Sequence, residues 1–283
     1  YRADFIERYH SAGAVGKRIY YLVLLGTTHR NEDTDRIDHK IVKTLAGIGI
    51  PVACILHGYV GFLFGSIKAN PWWSTPLMFV IFIFSAIASG LSVLIFLYQF
   101  VTWRGKIHID QIALDTMARF LWGFMIVAVV LEMMDLLSLA YEQTERWEIL
   151  KDLITGRLWY SYVICQILIC SLGSFLLLST VILCRLPRRL SNFLIFVSSV
   201  LMLIQVLLMR WNVVIGGQLV SKSYRGFTSF LPGIWEKEGL VVAAAILIIP
   251  FLVLWRFDKL FPFFIRDQVE ADQRRRPPTE TDG

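Results

Sequence analysis

Glu132 and Asp135 stand three residues apart in a stretch, 120–140, that carries no other charge. His57, Gln166 and Arg210 interrupt other apolar runs in the same way. Carboxylates and an imidazole take up and release protons, a guanidinium pairs with anions, and a primary amide can bridge two such groups. Each charged side chain held in hydrocarbon costs about 3 kcal/mol or more unless it is paired or wet. Five such residues in apolar surroundings therefore mark where chemistry is to be sought.

The surroundings are those of a membrane protein. The chain has 283 residues, of which 56% are hydrophobic and only 18% charged, and its mean hydropathy is +0.59. Uncharged runs at 44–67, 69–103, 158–184 and 190–209 are long enough to cross a bilayer. These features exclude an ordinary soluble enzyme and predict an all-α, polytopic transmembrane helical bundle with at least six spans, at 42–65, 76–101, 114–141, 158–184, 192–215 and 239–257. A polar segment, 1–41, precedes the bundle and contains a mixed-charge stretch, 29–39, that reads as an aqueous loop; further spans are expected upstream of it. A polar tail, 258–283, follows the bundle and reads as cytoplasmic.

The net charge of +6 is explained without nucleic acid. Lys and Arg collect before 42–65, between the second and third spans, between the fourth and fifth, and in the tail, so these segments face the cytoplasm. The spans at 42–65, 114–141 and 192–215 then run outward across the cell (cytoplasmic) membrane. At about 1.5 Å per residue, His57 and Gln166 lie roughly 12 Å below the outer end of their spans and Arg210 roughly 8 Å. Glu132 and Asp135 share one helix face in the same outer half. Two readings stand open: Arg210 and Gln166 support a buried ion pair that fixes packing, or the group carries protons.

Other chemistries are excluded on residue types. Cys54, Cys165, Cys170 and Cys184 all fall in apolar runs without C-x-x-C spacing, so neither a disulfide framework nor a cysteine-ligated cluster is expected. His57 alone among the histidines lies well inside a span, which leaves no second axial ligand for a bis-histidine haem. No metal site is predicted.

Around His57 the sequence reads His57-Gly-Tyr59-Val-Gly61-Phe-Leu-Phe-Gly65. Gly61 and Gly65 form a small-xxx-small face, with His57 expected on the same stripe, open to another helix or a flat ligand. Ser85, Ala86, Ser89 and Gly90 form a second small face that is expected to pack there. Between the two spans, Asn70-Pro-Trp72-Trp73-Ser-Thr-Pro76 reads either as an aromatic belt or as the rim met by an aromatic ligand entering from lipid.

These three segments together resemble the core of the NrfD/PsrC family, quinone-interacting membrane subunits of bacterial and archaeal respiratory complexes, and within it the subunits associated with dissimilatory sulfur metabolism. The resemblance implies a cofactor-free helical bundle that exchanges electrons between menaquinone and a ferredoxin-like Fe–S partner on its outer, periplasmic face. A multihaem cytochrome c and further membrane and cytoplasmic redox subunits are the other implied partners. By residue it implies that His57 lies at the quinone pocket and Trp72–Pro76 at its rim. Tyr59, Gly61, Trp72, Trp73, Ser85 and Ser89 are then the expected quinone-binding residues beside His57. Glu132 and Asp135 are expected, from depth alone, to relay the proton. The competing reading is a proton or ion transporter without redox partners, which requires a polar route to the cytoplasmic side.

Overall fold

The computed structural model describes residues 32–105, 109–221, 226–228, 233–236 and 239–260, with isolated positions before residue 25. The tail beyond 260, most of the segment 1–31, His29 and His108 lie outside the described residues. The chain divides into two units, Tyr1–Thr228 and Ser229–Gly283.

In the first unit α1 is Glu32–Gly65, α2 Met78–Gly105, α3 Gln111–Glu142 and α4 Glu145–Asp152. Two π-helical stretches, Leu153–Arg157 and Trp159–Leu172, lead into α5, Gly173–Leu183. Finally α6, Arg188–Trp211, ends in a π-helical turn, Asn212–Gly216. Among the described residues, five helical stretches are long and apolar enough to span a membrane: Arg36–Gly65, Met78–Gly105, Gln111–Glu142, Trp159–Leu183 and Arg188–Gly216. The protein is an all-helical, multi-pass membrane protein. In the second unit α7, Leu240–Leu260, has an apolar part, Leu240–Arg256, that falls short of the same length.

Helix ends follow the solvent more loosely than the sequence expectation. The mixed-charge segment from residue 32 is the start of α1, not a loop, because a helix satisfies its own backbone whether its side chains face water or lipid. At the other end of the bundle, Asp110 caps α3 by accepting from the Ile112 and Ala113 amides at 3.0 and 3.3 Å.

Helix α2 packs on α1, α3 and α6, and α6 in turn packs on α5 and on the π-helical stretch 159–172. Association in lipid relies on close approach, and α1 achieves it with glycine. A Cβ on Gly61 would come 2.6 Å from the Met78 carbonyl oxygen, and one on Gly65 would come 2.7 Å from that of Thr75. Gly58 likewise lies against the Phe79 ring. The packed stripe is Gly58–Gly61–Gly65, with His57 on its flank. Helical geometry requires this, since 57 is turned about 40° from 61 and about 80° from 65.

Gly61→Val is expected to lower the thermal midpoint of the purified protein, an overpacking loss of about 1–3 kcal/mol. Gly47→Val, where a Cβ meets nothing within 4 Å, is expected to leave it unchanged. Equal midpoints for the two variants would refute the glycine contact.

Candidate functional site

The site is built on the connection between α1 and α2. Asn70 donates through Nδ2 to the Gly217 carbonyl at 2.6 Å, while its Oδ1 accepts from the Trp72 amide at 3.0 Å. Trp73 donates through Nε1 to the Val213 carbonyl at 2.7 Å. The end of α6 is glycine where these rings arrive: a Cβ on Gly216 would come 2.7 Å from Leu158, and one on Gly217 would strike the Trp73 indole. Trp72 is buried, edge-on to Tyr162 with centroids 5.3 Å apart. The tryptophans are therefore interior wedges that tie α1–α2 to α6, not a lipid-facing belt.

The same connection reaches the acids. Thr75 donates through Oγ1 to Asp135 Oδ1 at 2.5 Å and accepts from the Leu77 amide at 3.2 Å. One turn away on α3, Glu132 Oε1 accepts from Gln166 Nε2. Gln166 Oε1 accepts in turn from Asn212 Nδ2 at 2.8 Å. Tyr162 adjoins Glu132. Gln166 and Asn212 are both fully buried, and Asn212 Oδ1 has no partner among the described residues. The result is a directed relay from Asn212 through Gln166 to Glu132, with Asp135 beside it and an acceptor oxygen left open at its far end.

Local helix geometry holds this relay together. Gln166 and Tyr162 sit on the π-helical stretch 159–172, and Asn212 on the π-helical turn 212–216. In an α-helix, residues four apart drift by about 40° per step. The buried residues Leu158, Tyr162, Gln166, Cys170, Ser174 and Leu178 nonetheless recur every four residues, through the π-helical stretch and on into α5.

Arg210 is not in this cluster. Its guanidinium lies over the Phe82 ring, 3.8 Å from the centroid, and donates to the Phe82 carbonyl at 3.2 Å and to Ser85 Oγ at 2.9 Å. The expected ion pair with Glu132 or Asp135 is absent among the described residues, and of the two residues expected to support it only Gln166 meets a carboxylate. The small face of α2 is also turned differently from expectation. Ser85 faces α6 through Arg210, Gly90 is exposed, and half-buried Ser89 donates to the Ala86 carbonyl of its own helix at 3.0 Å.

His57 is exposed, with Nδ1 2.9 Å from the Ala53 carbonyl oxygen of its own helix. Tyr59 is exposed on the other flank of the glycine stripe, in a shallow apolar groove with Phe62 and Phe79. Gly61 is taken up by the contact with α2. So the structure joins Glu132, Asp135, Gln166, Trp72 and Trp73, and leaves His57, Tyr59 and Arg210 outside that group. Tyr162, Asn212 and Thr75 complete it. Asn212 could have been found from its spacing, since Ser198, Gln205 and Asn212 recur every seven residues and the last two break an apolar run.

A chemistry follows. The two carboxyl groups have no cationic partner among the described residues, and a carboxyl group is a type that can take up or release a proton. The open Asn212 oxygen asks for a donor, and the buried amide chain fixes where that donor must lie relative to Glu132.

Comparison with known proteins agrees with this architecture. The chain is 34% identical over 104 residues to a selenate reductase subunit of Mesobacillus selenatarsenatis, a stretch that is 35% of this chain and 24% of that relative. The chain thus matches about a quarter of that relative's length. The family model described as Polysulphide reductase, NrfD, matches residues 20–222, which take in α1 to α6 and every member of the acid relay, and so the chain belongs to the polysulphide reductase NrfD family.

Proposed function

We propose that this chain is the quinone-reactive membrane subunit of a respiratory oxidoreductase complex in the cell (cytoplasmic) membrane. The observation that carries the reading is the relay ending in an unpartnered, fully buried Asn212 oxygen. A hydroxyl of a bound quinol is the kind of donor that oxygen lacks, and the carboxyl of Glu132 is the proton acceptor at the other end. Quinol oxidation supplies two electrons and two protons. In the proposed reaction Glu132 and Asp135 receive the protons, Gln166 and Thr75 hold the two carboxyl groups, and Trp72 with Tyr162 excludes water from the pair.

The substrate in this reading is menaquinone or menaquinol, bound in the outer half of the bilayer at the rim built by residues 70–76. Electrons pass to a ferredoxin-like Fe–S subunit docked on the same face, with a multihaem cytochrome c or further membrane and cytoplasmic subunits completing the complex. The likeness of the 57–90 segment to DsrP-type subunits supports a link to dissimilatory sulfur metabolism, and the likeness to a selenate reductase subunit supports a place in reductase complexes more broadly. His57 retains a role where a headgroup approaches along the exposed flank of α1, with Tyr59, Ser85 and Ser89 as the other peripheral positions.

Glu132→Gln keeps the hydrogen-bond partner of Gln166 but removes a proton acceptor. It is expected to reduce quinol-linked reduction of the Fe–S partner about 100-fold or more while the complex still assembles, as read by stopped-flow on the purified complex. Turnover within about twofold of the parent would remove Glu132 from the mechanism.

His57→Ala tests the two parts of the site against each other. It is expected to retain more turnover than Glu132→Gln, because His57 bonds to its own helix rather than to the relay. The reverse order would move the reaction centre to α1.

A further inference from the structure

The end of the bundle opposite the acid relay holds an exposed guanidinium, Arg119 on α3. Asp115 stands one turn before it, but that carboxylate is taken by Arg188 at the start of α6, Nη1 to Oδ2 at 3.2 Å. Among the described residues Arg119 has no ion-pair partner. Its depth makes this costly. With α3, Gln111–Glu142, centred on a hydrocarbon core about 30 Å thick, Arg119 lies about 11 Å from the midplane and Asp115 about 17 Å. The backbone of Arg119 is thus inside the hydrocarbon edge, where an unpaired charge is disfavoured, and its side chain is long enough to reach the headgroup layer.

Asp115, Arg119 and Trp122 fall within about 60° of one another around α3, and the two flanking residues are tied to neighbouring helices. Arg188 reaches Asp115 from α6. Trp122 donates through Nε1 to Ser179 Oγ of α5 at 2.9 Å and lies nearly parallel to the Phe175 ring. Arg119, between them, stands on the side of α3 that meets α5 and α6. The Arg188 bond to Asp115 uses Nη1, and with that side chain 69% exposed its remaining N–H groups are open to a second anion. Arg185 and Arg189, both exposed, flank Arg188 along the chain. Against these four guanidinium groups stand Asp115 and Asp110, and the Asp110 carboxyl is spent on capping α3. The neighbouring side chains of Phe120 and Leu183 are apolar and exposed.

We infer that Arg119 and Arg188 form a binding site for the phosphate of an anionic phospholipid where α3 meets the start of α6. The planar fork of arginine matches phosphate oxygens, and depth selects the occupant. A soluble acidic protein meets the headgroup layer from the aqueous side, away from a guanidinium rooted inside the hydrocarbon edge. A lipid phosphate lies at the layer the Arg119 side chain reaches, with its acyl chains running past Phe120 and Leu183. A zwitterionic headgroup carries its own cation to the same place, where Arg185 and Arg189 repel it. The bound lipid ties the start of α3 to the start of α6, and it does so whether or not the quinone reading holds.

The test offers the full-length protein, purified in a neutral detergent and stripped of lipid, either dioleoyl phosphatidylglycerol or dioleoyl phosphatidylcholine, and counts bound lipid by native mass spectrometry. The parent is expected to retain phosphatidylglycerol in preference to phosphatidylcholine, and to gain more in thermal midpoint from it. Arg119→Gln breaks no ion pair among the described residues, so the variant is expected to fold as the parent does. Arg119→Gln and Arg188→Gln are each expected to weaken phosphatidylglycerol binding about fivefold or more. Lys43→Gln, which removes a charge from the exposed start of α1, is expected to leave it unchanged. Equal retention of the two lipids by the parent overturns the inference, as does an affinity that neither arginine variant alters. An equal loss in Lys43→Gln overturns it in favour of the general field of that end of the bundle. Displacement of the lipid by inorganic phosphate at equal concentration overturns it in favour of a free anion.

Discussion

A polar group in hydrocarbon has to find its partner within the protein, and most of what is distinctive in this chain follows from that requirement. The α1–α2 connection contains prolines and turns, so its backbone and side chains cannot be satisfied by helix formation. It meets the requirement by reaching across to the end of α6, with Asn70 on Gly217 and Trp73 on Val213. Those bonds carry the structural burden that sequence patterning would give to an interfacial tryptophan belt. They also bring Thr75 to Asp135, so the element that closes the bundle is the one that positions an acid.

The bundle itself was legible. Long apolar runs dictate helices, and among the described residues five helical stretches reach membrane-crossing length. The grouping of Glu132, Asp135 and Gln166 was legible too, because depth along each helix can be counted from its ends. Direction around the helix was the harder part. Depth placed Arg210 and His57 at the same level as the acids, but level says nothing about azimuth. Arg210 turns to α2 and finds the Phe82 ring, and His57 turns outward beside the glycine stripe. A pair of glycines four apart identifies a contact face only to within a turn, and Gly58 rather than His57 proved to be the third member.

Tyr162 and Asn212 were missed for a different reason. Tyr162 sits on π-helical backbone in an apolar, aromatic stretch, and Asn212 closes a seven-residue recurrence with Ser198 and Gln205 that counting depth alone does not use. The regular four-residue interval from Leu158 to Leu178 was present in the sequence.

The wide turns also bear on why the relay is where it is. π-helical turns are rare and are frequently found at functional sites. Here three π-helical stretches lie at one end of the bundle, and two of them carry adjacent members of one hydrogen-bonded chain, Gln166 and Asn212. Gln166 and Tyr162 stand four apart and share one helix face, and both meet Glu132. The π-helical turn at the end of α6 presents Asn212 while leaving bare glycine backbone for the rim tryptophans. The backbone irregularity and the buried polar chain thus coincide: the wide turns carry Gln166 and Asn212, the two amides that lead to the acid.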